Sequence, residues 1–234
     1  MITEQKGGFE WTAILRPDSV KLEGYGGSLR VRIAIIGAGS VGRALGHVWS
    51  KAGHEIIWGL RNPQQDKNQD LPGERLTVEE APKGADITVL AIPFDQVDGA
   101  AKAIGADFSG ILVDCTNPIN EAWNGLDTRG AVSGAAYVKT QLPRARMVKA
   151  FNQMGAGTMA DAAFGSGQPL NLVCSSDEAA ASCVRQLSDE LGFDTVVVRG
   201  LEHARQLEEM AWLWISLAVK QEHGPDFAFA MVRR

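Results

Sequence analysis

The sequence predicts an α/β fold, a doubly wound parallel sheet with a smaller C-terminal α+β and helical part, and three observations carry the prediction. Runs such as 33–36, 87–92 and 111–115 are apolar almost throughout, the character of parallel strands covered on both faces. Segments with apolar residues at helical spacing alternate with them. The first run ends at Gly37-x-Gly39-x-x-Gly42, a spacing that in this context joins a strand to a helix through a tight turn.

That glycine segment organises the chain. Gly37 suits the sharp turn, Gly39 leaves room for a diphosphate to approach the backbone, and Gly42 lets helix and strand pack closely. The free N–H groups and the positive dipole end of the helix then face the phosphates, with Ala38, Ser40 and Val41 completing the turn. Val41, Leu45, Val48 and Ala52 form one apolar stripe toward the sheet, Gly53 ends the helix, and a second strand begins at Glu55. A complete strand–helix–strand unit between about residues 31 and 60 marks a Rossmann-type dinucleotide-binding unit.

Farther along, 60–75 reads as a polar loop containing Pro72-Gly73, followed by a short strand at 76–77 and an abbreviated helix at 78–81. A central strand over 87–92 stops at Pro93, a helix covers 96–104, and a strand at 111–115 ends in Thr116-Asn117-Pro118. A short helix at 133–141 precedes the sixth strand at 146–150, which leads into a tight connection through 151–155. Then come a strand at 171–174, a helix at 177–192, an extended 195–198, a long helix at 202–222 and a final short helix holding Phe227, Phe229 and Met231. The expected divisions are an N-terminal extension at 1–30, a nucleotide-binding domain at 31–152 and a small substrate and dimerisation domain at 153–234. The extension carries no secretory-signal pattern and nothing that resembles a phosphate or nicotinamide contact, so cofactor binding is expected without it.

Composition excludes several classes. A net charge of −5 over 234 residues, with no basic run, argues against a nucleic-acid or anionic-membrane surface. The longest apolar run near the C-terminus, 211–219, is too short to cross a bilayer, so a soluble, cytoplasmic protein is expected. Cys115, Cys174 and Cys183 are odd in number, lack metal-ligand spacing and lie in apolar segments, the pattern of core thiols in a reducing compartment; no metal site is expected.

Units of this kind that take NAD present an acidic residue at the end of the second strand to hold the ribose 2′-hydroxyl. Here Trp58-Gly59-Leu60-Arg61 puts a guanidinium there, which suits the 2′-phosphate of NADP and stacking on adenine, with Asn62 beside it. Around these residues the chain resembles the NADP-dependent coenzyme F420 oxidoreductases, in a bacterial branch similar to the cytosolic reductase domain of the STEAP metalloreductases. The resemblance runs from about 31 to 234, through the glycine turn at 36–42, the Gly-x-Arg at 59–61, Ala91-Ile92-Pro93, Asp114-Cys-Thr-Asn117-Pro118 and Lys149-Ala150-Phe151-Asn152. It implies that the glycine turn and Arg61 hold the adenylate end of NADP(H), and that Ala91, Ile92, Pro93, Asn117 and Pro118 lie along the nicotinamide half. It also implies that Ala150, Phe151, Asn152 and Met154 face the hydride partner, coenzyme F420 or a flavin. Archaeal members tend to have a hydroxyl residue in place of Ala38 and a serine in place of Leu60, so the preference for NADP rests on Arg61, helped by Asn62 or Ser40.

Hydride transfer between stacked rings needs donor and acceptor carbons about 3–3.5 Å apart and little acid–base chemistry, so no general acid is nominated. His47, His54, His203 and His223 read as solvated, and Lys149, at a strand end, as either a cation of the site or a capped surface lysine. Two other classes share the N-terminal unit. One is a reductase of a small carbonyl, 3-hydroxyacid or imine substrate, for which the roughly eighty residues after 155 leave little room for a long helical domain. The other is a redox-sensing NADP-binding protein without turnover. Met210, Trp212, Leu213, Trp214 and Leu217 cover nearly every face of the last long helix, with Phe227 and Phe229 beyond it, and so predict a homodimer. The partners expected are thus a small-molecule redox acceptor and a second copy of the chain.

Overall fold

The computed structural model describes residues 30–65, 68–165 and 167–234, so the expected extension at 1–30 lies almost wholly outside the described residues. Its strands are β1 (Arg32–Ile36), β2 (Glu55–Leu60), β3 (Glu74–Thr77), β4 (Ile87–Leu90), β5 (Ile111–Asp114), β6 (Arg146–Lys149), β7 (Leu170–Ser175) and β8 (Asp194–Arg199). They form one eight-stranded sheet in the order β3-β2-β1-β4-β5-β6-β7-β8. Strands β3 to β6 run parallel, β7 pairs antiparallel with β6 at Lys149–Cys174, and β8 returns parallel to β7. The Rossmann-type sheet is therefore extended at one edge by the C-terminal part, which joins the same sheet rather than building a second one.

Helices α1 (Ser40–Lys51), α2 (Val97–Ile104), α3 (Gly134–Gln141), α4 (Ala156–Ala160), α5 (Glu178–Glu190) and α6 (Ala204–Ile215) cover the two faces. Period-two alternation sorts the strand residues: Ile33 and Ile35 enter a core with Leu45 and Trp49 of α1 and Val184 and Leu187 of α5. Ala34 and Ile36 enter the opposite core with Val97 of α2, Val138 of α3 and Met147. The buried indoles find acceptors, Trp49 Nε1 at Leu187 O (3.1 Å) and Trp58 Nε1 at Pro72 O (2.7 Å), the condition for burying tryptophan without a polar penalty. Among the described residues no helix is long and apolar enough to cross a membrane.

Two C-terminal expectations change. The long helix ends at Ile215 and continues as a wider π-type turn, Ser216–Lys220. No helix follows: Phe227 stacks on Trp214 (ring centroids 5.4 Å apart) and accepts its indole N–H at 3.0 Å, while Phe229 O accepts Leu170 N at 2.8 Å. Phe227 and Phe229 stand two apart, the spacing of an extended segment, and the tail is laid against α6 and the start of β7. Part of the apolar excess on α6 is thus covered by the chain's own tail, leaving Leu213 and Val219 exposed.

The 78–84 segment forms turns rather than a helix, tied by reciprocal bonds between Thr77 and Glu80 that take the form of a capping box. After Gly155 the tight connection contains the short α4, whose Met159 is buried beside α1.

Candidate functional site

The connections part between β1 and β4: β2 lies on one side of β1, and the chain returns to its other side through β4. At such a point the loops diverge and leave a crevice outside the carboxyl ends of the strands. Here it is a cleft of about 1080 Å³ lined by Ile36 to Gly39, Gly59 to Asn62, Thr77 to Glu79 and Ala91 to Pro93, among others.

Its floor is the glycine turn. Gly37 has φ +103°, donates its N–H to Gly59 O at 3.1 Å, and sits so close to the next strand that an added Cβ would lie 2.4 Å from Ala91 O. A Cβ on Gly42 would lie 2.2 Å from Gly37 O, so only glycine lets α1 start this near the turn. Around Gly39 nothing lies within 4 Å of that position. Gly39 is also the N-cap of α1, where it supplies no side-chain cap, and the first turn carries no acidic residue. The three glycines therefore do different work: two permit close packing and one leaves an open approach to a helix N-terminus, an anion-accepting geometry. Ala38 and Gly39 line the cleft, whereas Ser40, Val41 and Gly42 form the helix start behind them.

At the end of β2, Arg61 and Asn62 are exposed in the cleft wall. Among the described residues Arg61 makes no ion pair or side-chain hydrogen bond, and no other cation stands among the described residues that line the cleft. The loop that carries it is held from within. Buried Asn68 donates to Asn62 O (3.2 Å), and Arg75 holds Asn68 O (3.1 Å). On the helix side Arg43 donates to Ala38 O (3.2 Å) and to Asp70 (2.7 Å), and that hydrogen bond lowers the pKa of the Asp70 carboxyl. Gln65, Asn68 and the 77–79 turn are wall residues that the sequence reading did not nominate. The signal available for the last of these was the third strand, whose carboxyl end faces the same crevice as the others.

Ala91, Ile92 and Pro93 form the opposite wall, continued by Asp95 and Gln96. Asn117 and Asn152 are not part of this lining but pair with each other: Asn117 Nδ2 donates to Asn152 O (2.9 Å) and Asn152 Nδ2 to Asn117 Oδ1 (3.0 Å). Asn152 also reaches Leu207 O at 3.2 Å, and Pro118 is buried against the first residue of α3. The segment expected to face a hydride partner turns mostly inward. Ala150 and Phe151 are wholly buried and Met154 nearly so. Phe151, at φ +57°, points its ring into the core against the edge of Trp49 (5.7 Å). One left-handed residue reverses the side-chain direction that an extended continuation of β6 would give, so the segment can offer a ligand its backbone and the Asn152 amide rather than these apolar side chains.

Lys149 is neither a surface lysine nor a cleft cation. It is fully buried, with Nζ 2.9 Å from Asp114 and 3.4 Å from Glu208, both equally buried, and it donates to Thr116 O as well. Burial disfavours its charge, but the two carboxylates more than offset this and hold its pKa above the ordinary lysine value. His54 also departs from expectation: it is buried, accepts Val31 N–H at Nδ1 (3.2 Å) and meets Glu190 through Nε2 (2.6 Å), binding the amino-terminal edge of the sheet to the end of α5. The three cysteines are buried free thiols, and burial pushes Cys174 up to about 11 and Cys183 up to about 12, which makes them poor nucleophiles.

The strand order, the glycine turn and the cleft at the switch point define a doubly wound dinucleotide-binding domain of the Rossmann type. Residues 32–118 match the family model of NADP oxidoreductases, coenzyme F420-dependent, which places this segment among NADP oxidoreductase-like domains by similarity. A crystal structure from Arthrobacter sp. FB24 described as an F420-dependent NADP reductase superposes with a TM-score of 0.78 at 27% identity, over 87% of this chain and 100% of the other. A hypothetical protein from Sinorhizobium meliloti gives a TM-score of 0.67 at 26% identity, over 87% and 96%. A glycerol-3-phosphate dehydrogenase [NAD(P)+] of Paracoccus denitrificans is 27% identical over 213 residues, 86% of this chain, and the match spans 65% of that relative's length.

Proposed function

We propose that the chain is an NADP(H)-dependent oxidoreductase that passes hydride between NADPH and a planar redox acceptor of the deazaflavin or flavin type. The observation that carries this reading is Arg61: a guanidinium without a partner among the described residues, at the carboxyl end of β2, where an NAD-binding unit would present a carboxylate, on the wall of a cleft whose floor is an open helix N-terminus. In this reading Gly37 to Gly42 take the diphosphate, and Arg61 and Asn62 take the 2′-phosphate. Adenine lies against Thr77 to Glu79, and Ala91 to Pro93 flank the nicotinamide ribose. The Asn117–Asn152 pair keeps a spare donor and a spare lone pair for the nicotinamide amide. The chemistry asked of the protein is binding and orientation of two rings, with the reacting carbons about 3–3.5 Å apart.

The family-model match over residues 32–118 and the similarity to the Arthrobacter structure support the oxidoreductase class and favour F420 or a related ring as acceptor. The test is stopped-flow oxidation of NADPH by a panel of deazaflavin, flavin, ferric and small imine or carbonyl acceptors. Fastest turnover with the deazaflavin or flavin is expected. Turnover only with an imine or carbonyl would replace the acceptor, and no oxidation by any of them would favour a sensor. Exposed Leu213 and Val219 on and after α6 support a further proposal, that the chain pairs with a second copy through this end.

A further inference from the structure

Three charged side chains with no exposure at all, Asp114, Lys149 and Glu208, meet beneath the Asn117–Asn152 pair, and the adenylate site makes no use of them. Buried ion pairs are a weak source of stability, since apolar replacements often fold as well or better, so this cluster asks for another account. Its hydrogen bonds supply one. Asp114 Oδ1 accepts both the backbone N–H (2.9 Å) and the hydroxyl (2.7 Å) of Thr116, and Lys149 donates to Thr116 O, so every polar group of the residue before Asn117 is held by the pair. Glu208 accepts Gly134 N (2.9 Å) and Ala135 N (3.0 Å) at the start of α3. Gly134 is the residue on which Pro118 packs: a Cβ there would lie 3.0 Å from the proline ring. The residue after Asn117 is thereby fixed from the other side. The partner amide is held by the same helix, because Asn152 donates to Leu207 O, one residue before Glu208.

We infer that the buried Asp114–Lys149–Glu208 network is a positioning device for the hydride-transfer end of the site, fixing the Asn117–Asn152 amide pair from both flanks. The inference rests on the reading that the nicotinamide is presented at this pair. It makes Glu208, 91 positions beyond Asn117 in the sequence, a positioning residue, and it predicts that loosening the network harms orientation of the nicotinamide while sparing capture of the adenylate end.

The test uses the full chain with Glu208→Gln, which removes the second carboxylate but leaves the Lys149–Asp114 pair charge-balanced; Asp114→Asn serves as a second variant. Three quantities are read: the Kd for NADPH, the single-turnover rate of hydride transfer from saturated NADPH to the fastest acceptor of the panel, and Tm. A displacement near 1 Å costs about a hundredfold in a reaction that depends on orientation, so a 10- to 100-fold fall in the saturated rate with a Kd within about twofold of the parent is expected. A saturated rate within threefold of the parent's, whatever happens to Tm, would overturn the inference, and so would equal losses in Kd and rate, the mark of general loosening. A variant too unstable to purify in both cases would count against it too, because a positioning role leaves the fold standing. Failure of the parent to oxidise NADPH would instead strike the functional reading on which the inference rests.

Discussion

Gly39 and Gly42 are three residues apart in one motif, yet their surroundings demand opposite outcomes on substitution. At Gly39, φ is −76° and no atom lies within 4 Å of an added Cβ, so Gly39→Ala should fold as the parent does or gain about 0.4–1 kcal/mol from a less flexible unfolded chain. Its methyl, however, stands on the surface open to a diphosphate. Losing one charge-assisted backbone contact of about 1.5–3 kcal/mol weakens NADPH by roughly 10- to 150-fold. At Gly42 the added Cβ would be 2.2 Å from Gly37 O, and since ordinary contact begins near 3.4 Å, the start of α1 has to retreat by about 1 Å. Overpacking of that kind costs about 1–3 kcal/mol, or about 2–12 °C in Tm for a chain of this size, and binding falls with it. Thermal melts and NADPH fluorescence titrations on both variants give the answer. A Gly39→Ala protein that binds NADPH within twofold of the parent would refute the assignment of this open side to the diphosphate.

Asp177 pairs with Arg146 through two hydrogen bonds of 2.7 and 3.1 Å, and this pairing holds its carboxyl below the usual range. A depressed folded pKa contributes stability that is fully present above the unfolded value near 4 and is lost as pH falls through the folded one. Asp177→Asn can still cap α5, so the Tm gap between parent and variant should be constant from about pH 5.5 to 7 and close on further acidification; a gap that widens in acid would contradict the ion pair. Phe151→Ala removes a wholly buried ring and should cost about 3–5 kcal/mol in denaturant melts, with NADPH affinity of the folded fraction nearly unchanged. A loss of affinity without loss of stability would return Phe151 to the ligand surface. Leu213→Glu should give monomers in light scattering where the parent gives dimers, and a monomeric parent at micromolar concentration would remove the pairing proposal.

The parts of the site that the sequence made legible are the local ones. Gly37, Gly39 and Gly42 are constrained by contacts within one strand–turn–helix unit and its immediate neighbours, so their spacing alone announces the geometry. The place of Arg61 on the cleft wall follows in the same way, because a strand end has a fixed relation to the turn beside it. Lys149 was not. Its partners stand 35 residues before it and 59 after it, and a lysine at a strand end looks the same whether it faces solvent or two buried carboxylates. Phe151 was misread because one left-handed residue, invisible in composition, turns its side chain from the strand end into the core. The C-terminal tail, expected as a short helix, is extended instead: the backbone bond from Leu170 N to Phe229 O lays it against the start of β7, a contact between distant segments that the local sequence does not display.

The central claim, that the cleft is built for NADP and selects it through Arg61, is tested most directly by the dissociation constants of Arg61→Ala for NADPH and NADH measured side by side. Only NADPH carries the 2′-phosphate, and a guanidinium–phosphate contact contributes about 1.5–3 kcal/mol. NADPH should therefore weaken by about 10- to 150-fold while NADH stays within about twofold, and added salt should weaken the parent's NADPH complex more than its NADH complex. Equal losses for the two cofactors, or none for either, would contradict the account.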